Sequence, residues 1–198
     1  MLENIEGQLF IYAIIIMSAI FHEYAHAWMA YYLGDPTAKN MGRLTLNPIA
    51  HVDPFGTVIL PLFLMLTGGM FIGYAKPVPY NPYNLKDQKN GPLKVAAAGP
   101  GSNFLIAIIF SIILRSVNLP GFWMQAVTLI VYVNIILGLF NLIPVPPLDG
   151  SKILKRFTSI DLSFGGSFLG VILALMIAFT FLPTLAQGVF RLLTGITL

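Results

Sequence analysis

Apolar positions fall into five blocks, separated by clusters of turn-forming residues. The first block covers about residues 9–33. It opens with Phe10-Ile11-Tyr12-Ala13-Ile14-Ile15-Ile16, yet its lower part carries His22, Glu23 and His26. At roughly 1.5 Å per residue it is long enough to cross a bilayer with some tilt. Gly34-Asp35-Pro36 then stops it. The second block, 55–67, is short for a crossing and breaks at Gly68-Gly69. The third covers about 93–117, the fourth about 122–143 and the fifth about 166–182. Beyond Pro183, the positions of Leu185, Val189, Leu192 and Leu193 predict an interfacial amphipathic helix. Two intervening stretches, 40–54 and 75–92, are rich in proline. Within the second, Pro77-Val78-Pro79 cannot be helical and is expected to be extended.

This pattern predicts an all-α membrane protein. It is a polytopic helical bundle with about four spanning helices, a re-entrant or membrane-associated segment at about 55–80, and a C-terminal interfacial helix. One integral-membrane domain covers 1–198. Composition agrees, because only 10% of residues are charged and a soluble domain carries about 25%. That excludes a cytosolic enzyme, a disordered chain and a nucleic-acid binder. The chain has no cysteine, so disulfides, thiolate ligands and a cysteine nucleophile are excluded. Its first residues include Glu3 and Glu6. A secretory leader needs a basic start, so the first apolar run is expected to be retained.

The chemistry concentrates in His22-Glu23-Tyr24-Ala25-His26. Positions i and i+4 share one helix face, so both imidazoles can reach one ion. Glu23, beside them, can take a proton from water that the ion activates. Zinc suits this set, since two imidazoles leave room for a third ligand and a water. Ionisable groups inside a membrane segment cost roughly 2.5–3.5 kcal/mol for a central charge on insertion scales, so they need a compensating role. The bland alternative is a polar cluster that packs helices or caps the span.

Asp149 is the best candidate for the third ligand. It follows the fourth block in Asn141-Leu142-Ile143-Pro144-Val145-Pro146-Pro147-Leu148-Asp149-Gly150. The prolines end the helix and are expected to hold the chain extended. Gly150 permits a turn behind the carboxylate. His22 and His26 can meet Asp149 only if the first and fourth blocks run parallel. Block three then supplies one return crossing, and block two enters and leaves without a net crossing. Charge gives an independent check. Under this topology Lys39, Arg43, Lys76, Lys86, Lys89, Lys94, Lys152, Lys155 and Arg156 share one side. These are nine of the eleven basic residues, which makes that side the cytosol.

Other polar positions leave two readings open. Asn103, in Ala98-Gly99-Pro100-Gly101-Ser102-Asn103, could support a substrate carbonyl or oxyanion, or could join helices. Asn134, Gly138 and Asn141 share one helix face. Packing suits Asn134, while Asn141 could also brace the loop carrying Asp149. His51 reads as structural rather than as a ligand. Asp53 before Pro54 reads as a turn or helix cap. Trp28, Tyr31 and Tyr32 read as an interfacial belt.

These residues together resemble the site-2 protease family of intramembrane zinc metalloproteases, peptidase family M50. His22–His26 corresponds to its HExxH, Gly99–Asn103 resembles its GxxxN element, and Asn141–Gly150 is similar to its NxxPxPxLDG. Leu46-Asn47-Pro48 through Asp53-Pro54-Phe55-Gly56, with Ala75-Lys76-Pro77-Val78-Pro79, looks like a short branch lacking the PDZ and CBS domains. The resemblance implies a three-helix catalytic core within about 9–150, one zinc held by His22, His26 and Asp149, and Glu23 as catalytic glutamate. It also implies that the substrates are single-pass membrane proteins or signal-peptide remnants.

The expected protein is therefore a multi-pass protein of the cell membrane, with a site inside the lipid bilayer reached from the cytosolic side. His26 lies ~10 Å and His22 ~16 Å inside the predicted helix end, which calls for a polar cavity. A helical substrate must unwind locally, and residues 70–79 could support it by backbone pairing. Two rivals come from other classes. One is a zinc or proton transporter using His22, Glu23 and His26 as a relay. The other is a silent protein that holds membrane helices without cutting them.

Overall fold

The computed structural model describes residues 5–66, 76–158 and 168–197 of the 198-residue chain. The described residues contain no strand. The order is α1 (Ile5–Tyr32), α2 (Thr37–Asn40), α3 (Pro48–His51), a wide π-turn (Pro54–Ile59) running into α4 (Leu60–Leu66), a 3-10 turn (Pro82–Asn84), α5 (Gly91–Ser116), α6 (Gly121–Asn141), α7 (Asp149–Phe157) and α8 (Phe168–Thr194). Four of these helices, α1, α5, α6 and α8, carry stretches long and apolar enough to cross a membrane. The second apolar block forms only the short π-turn and α4, as its length requires; residues 67–75 lie outside the described residues.

Helix α5 is the hub and packs against α1, α6, α7 and α8. Its contact with α6 and α8 buries Ala107, Leu114, Val127, Val131, Ile135, Ala186 and Phe190. The outer faces stay apolar: Leu105, Ile112, Trp123 and Phe181 are all exposed, as hydrocarbon surroundings allow. Helix ends are tied by the loops. Lys86 N–H donates to the Leu33 carbonyl at 2.9 Å, which joins the end of α1 to the approach to α5. At the opposite end Arg115 donates to the Leu192 carbonyl at 2.8 Å, so α5 and α8 finish together.

The C-terminal expectation needs correction. Pro183 does not start a separate interfacial helix; it lies inside α8. A proline removes one helical hydrogen bond, yet the helix continues because one face of its next turns is buried. Ala186 and Phe190 are fully buried against α5 and α6, and the Phe190 ring meets Tyr132 edge-on at 6.1 Å. Of the positions read as an interfacial stripe, Val189 and Leu193 pack against the bundle, while Leu185 and Leu192 stay exposed.

Two loops frame the working end of α1. Asp35 is fully buried. Its carboxylate accepts from Thr37 N–H and hydroxyl, from Asn81 N–H at 2.6 Å and from the Asn84 amide at 2.9 Å. Burial opposes ionisation, but these donors outweigh it and hold the Asp35 carboxyl below the usual carboxylate range. Asp53 caps the π-turn, accepting from Phe55 N–H and Gly56 N–H. His51 is buried and donates to the Thr45 carbonyl. It stands outside the metal-competent group and serves the loop. Trp28 stacks on Tyr32, both exposed near the end of α1, as a belt residue pair would be.

Candidate active site

His22 and His26 project from one face of α1, and their Nε2 atoms lie 3.0 Å apart. Asp149 is the first residue of α7, where the helix dipole favours a carboxylate. Its Oδ2 lies 3.1 Å from His22 Nε2 and 3.0 Å from His26 Nε2. The fold thus brings the three predicted ligands together across 127 positions of sequence.

The outer nitrogens decide what the inner ones can do. His22 Nδ1 lies 2.7 Å from Asn103 Oδ1, and His26 Nδ1 lies 2.7 Å from the Val95 carbonyl. Both partners are acceptors, so each Nδ1 carries its proton and each ring can offer its Nε2 lone pair inward to a metal. The two Nε2 atoms and the carboxylate oxygen, about 3 Å from one another, converge on a single point that a shared cation can occupy. A tetrahedral ion with bonds of about 2.0–2.1 Å sets its ligands roughly 3.3 Å apart, close to this triangle. The donor set, two imidazoles and one carboxylate, suits zinc. Lys152 donates to the second oxygen, Oδ1, at 2.9 Å and favours the ionised carboxylate.

Two glycines make the close approach feasible. A Cβ at Gly99 would collide with the ring edges of His26 and His22. Gly99 therefore lets α5 lie directly against the imidazoles. Gly150 was expected to form a turn, but it belongs to the first turn of α7. Its need is space: a Cβ there would strike the Leu142 and Ile143 carbonyls at the end of α6. The proline-rich link is likewise not extended. Val145 N–H bonds the Ile143 carbonyl and Leu148 N–H bonds the Val145 carbonyl, so the link folds into tight turns beneath Asp149.

Asn103 is fully buried behind His22, not on the cavity wall. Its amide donates to Asn134 Oδ1 at 2.9 Å and to the Ser18 carbonyl at 3.3 Å. Asn134 donates in turn to the Ser18 hydroxyl at 2.9 Å. This chain links α1, α5 and α6 and orients His22, which places Asn103 away from a substrate carbonyl. Asn141 does line the cavity, but its amide donates to the Leu137 carbonyl of its own helix.

The cavity beside the ligands measures about 450 Å³ and is walled by Glu23, Val95, Leu137 and Phe140, with Val78, Tyr80 and Lys152 on the loop side. Burial, with the Asp149 charge adding and Lys152 opposing, raises the Tyr80 phenol, which stays a donor at neutral pH. Glu23 accepts a 2.8 Å hydrogen bond from Val78 N–H. The sequence points to Lys152 only through the charge asymmetry and to Val78 only through the extended 77–79 segment; Ser18 and Tyr80 are new, and of these Ser18 carries a sequence signal, one turn before His22 on the same face.

Comparison with known proteins agrees with this geometry. The pattern of peptidase family M50 matches residues 10–122 and 115–160. "Putative zinc metalloprotease YwhC" of Bacillus subtilis is 41% identical over 71% of this chain and 65% of its own length. Rip2 of Mycolicibacterium smegmatis, with the same description, is 29% identical over 68% of this chain and 52% of its own. MJ0611 of Methanocaldococcus jannaschii, also so described, is 33% identical over 50% of this chain and 51% of its own. The chain thus spans between about half and 65% of these relatives' lengths. No solved structure matches it. The family pattern covers most of the sequence, including all three ligand positions, and the chain belongs to peptidase family M50, the site-2 protease family of zinc metalloproteases.

Proposed function

We propose that this protein hydrolyses peptide bonds within or near membrane-spanning segments, using one zinc ion held by His22, His26 and Asp149. The observation that carries the reading is the converging triangle of lone pairs, set inside a four-span bundle beside a cavity that Glu23 lines. Bound zinc supplies Lewis acidity, which makes water a nucleophile near neutral pH. Glu23 takes the proton that water gives up as its oxygen attacks the scissile carbonyl carbon. As the C–N bond breaks, Glu23 returns that proton to the leaving amine. Leu137, Phe140 and Val95 form an apolar wall suited to a membrane segment. A helical segment hides its carbonyls in hydrogen bonds, so the substrate unwinds before it is cut.

Water enters past Lys152 and Tyr80, on the side where nine of the eleven basic residues gather. That asymmetry supports a cytosolic opening in the cell membrane. By resemblance to the family, substrates are single-pass membrane proteins or signal-peptide remnants. The deciding variant is Glu23→Gln, assayed on a fluorogenic transmembrane peptide that the wild-type protein cleaves. Cleavage should fall by at least about 10²-fold while zinc stays bound. Wild-type cleavage by this variant contradicts the mechanism. Zinc flux through the purified variant in vesicles, with no cleavage by the wild type, would support the transport reading.

A further inference from the structure

Glu23 has no metal to fix it, and a helix turns its side chain about 100° away from that of His22. Something else must hold it at the cavity. Pro77 and Pro79 have no N–H, so Val78 supplies the one main-chain donor of residues 77–79. That donor points to Glu23 Oε2 at 2.8 Å. The preceding edge of the same segment is fastened from behind. Arg43, itself buried, donates through one terminal nitrogen to the Lys76 carbonyl at 2.6 Å and the Pro77 carbonyl at 3.3 Å. Lys76 N–H donates to the His51 carbonyl at 3.0 Å. Arg43 is held in turn by its own N–H on the Ala38 carbonyl at 2.8 Å. No main-chain N–H of residues 76–79 is then free to pair with a substrate strand, which limits the pairing expected of 70–79 to carbonyl acceptors over these residues; residues 70–75 lie outside the described residues.

We propose that the Val78 main-chain N–H is a positioning group for the proton-transferring Glu23. The strap of residues 76–79, anchored by Arg43 and His51, fixes one carboxylate oxygen and leaves the other to exchange the proton. The paired prolines keep the strap extended and ensure that its single donor is the one aimed at Glu23. This inference rests on the proposed role of Glu23 and adds the element that orients it.

The test removes the N–H without removing the residue. Val78 is replaced by its α-hydroxy acid, giving an ester in place of the amide, and separately by alanine, which keeps the N–H. Each protein is assayed on the fluorogenic transmembrane peptide beside the Glu23→Gln variant, with zinc content measured throughout. The ester should lower kcat about 10²-fold below that of Val78→Ala, which retains the N–H, with KM and zinc unchanged. In a Glu23→Gln background the ester should have no further effect. An ester variant with wild-type kcat, a loss confined to KM, or a loss of zinc with activity would each overturn the proposal. If Glu23→Gln itself still cleaves, the underlying reading fails. If it is dead while the ester variant turns over normally, only the strap proposal fails.

Discussion

Each candidate histidine ligand is set by a neighbour that stands behind it, away from the His22–His26–Asp149 group. Asn103 orients His22, and the Val95 carbonyl orients His26. Asn103→Ala should leave the His22 Nδ1 proton without its acceptor and Asn134 Oδ1 without its donor. A partner of that kind is worth 10–100-fold in metal affinity. Zinc affinity, measured by competition against a chelator series, should weaken by about that factor with the protein still folded. Asp35 gives a pH prediction at the same scale. Its carboxyl is held below the ordinary value in the fold, so its contribution is full above the unfolded pKa of about 3.9. That contribution is lost as pH falls through the lower folded value. Asp35→Asn should cost about 1–3 kcal/mol near neutrality. Thermal unfolding in detergent should then show wild type losing stability faster than the variant below about pH 4.

Among the elements, α5 does most to assemble the site, since one helix carries the Val95 carbonyl, Gly99 and Asn103. Gly99→Ala pushes a methyl into both imidazoles. Overpacking of this kind costs about 1–3 kcal/mol, and zinc binding should be lost with it. Gly101→Ala, where a Cβ meets nothing within 4 Å, is the matched control and should keep its zinc. Equal zinc content in the two variants would contradict the close approach of α5. Sequence periodicity located α1, α5 and α6 because apolar length alone identifies a crossing. It misplaced the end of α8 because Pro183 reads as a stop, while the burial of Ala186 and Phe190 that overrides it is a tertiary fact. Gly150 was recognised as special for a turn, whereas its reason is the Leu142 carbonyl packed against it.

For the whole molecule, topology does the work that sequence distance hides. His22, His26 and Asp149 could be nominated from residue type, and their meeting followed from counting crossings and basic residues. What the sequence left unread is the strap on Glu23 and the Ser18–Asn103–Asn134 chain. Both depend on main-chain donors or on pairings between helices far apart in sequence. The bundle brings the lower part of α1 against the start of α7, so that His22, His26 and Asp149 form one group that could hold a metal ion. The most direct measurement is zinc content per chain of purified wild type, Glu23→Gln and Asp149→Ala, with cleavage of the transmembrane peptide assayed alongside. The account predicts one zinc in the first two, little in the third, and cleavage only by wild type. Full zinc in Asp149→Ala, or undiminished cleavage after exhaustive chelation, would contradict it.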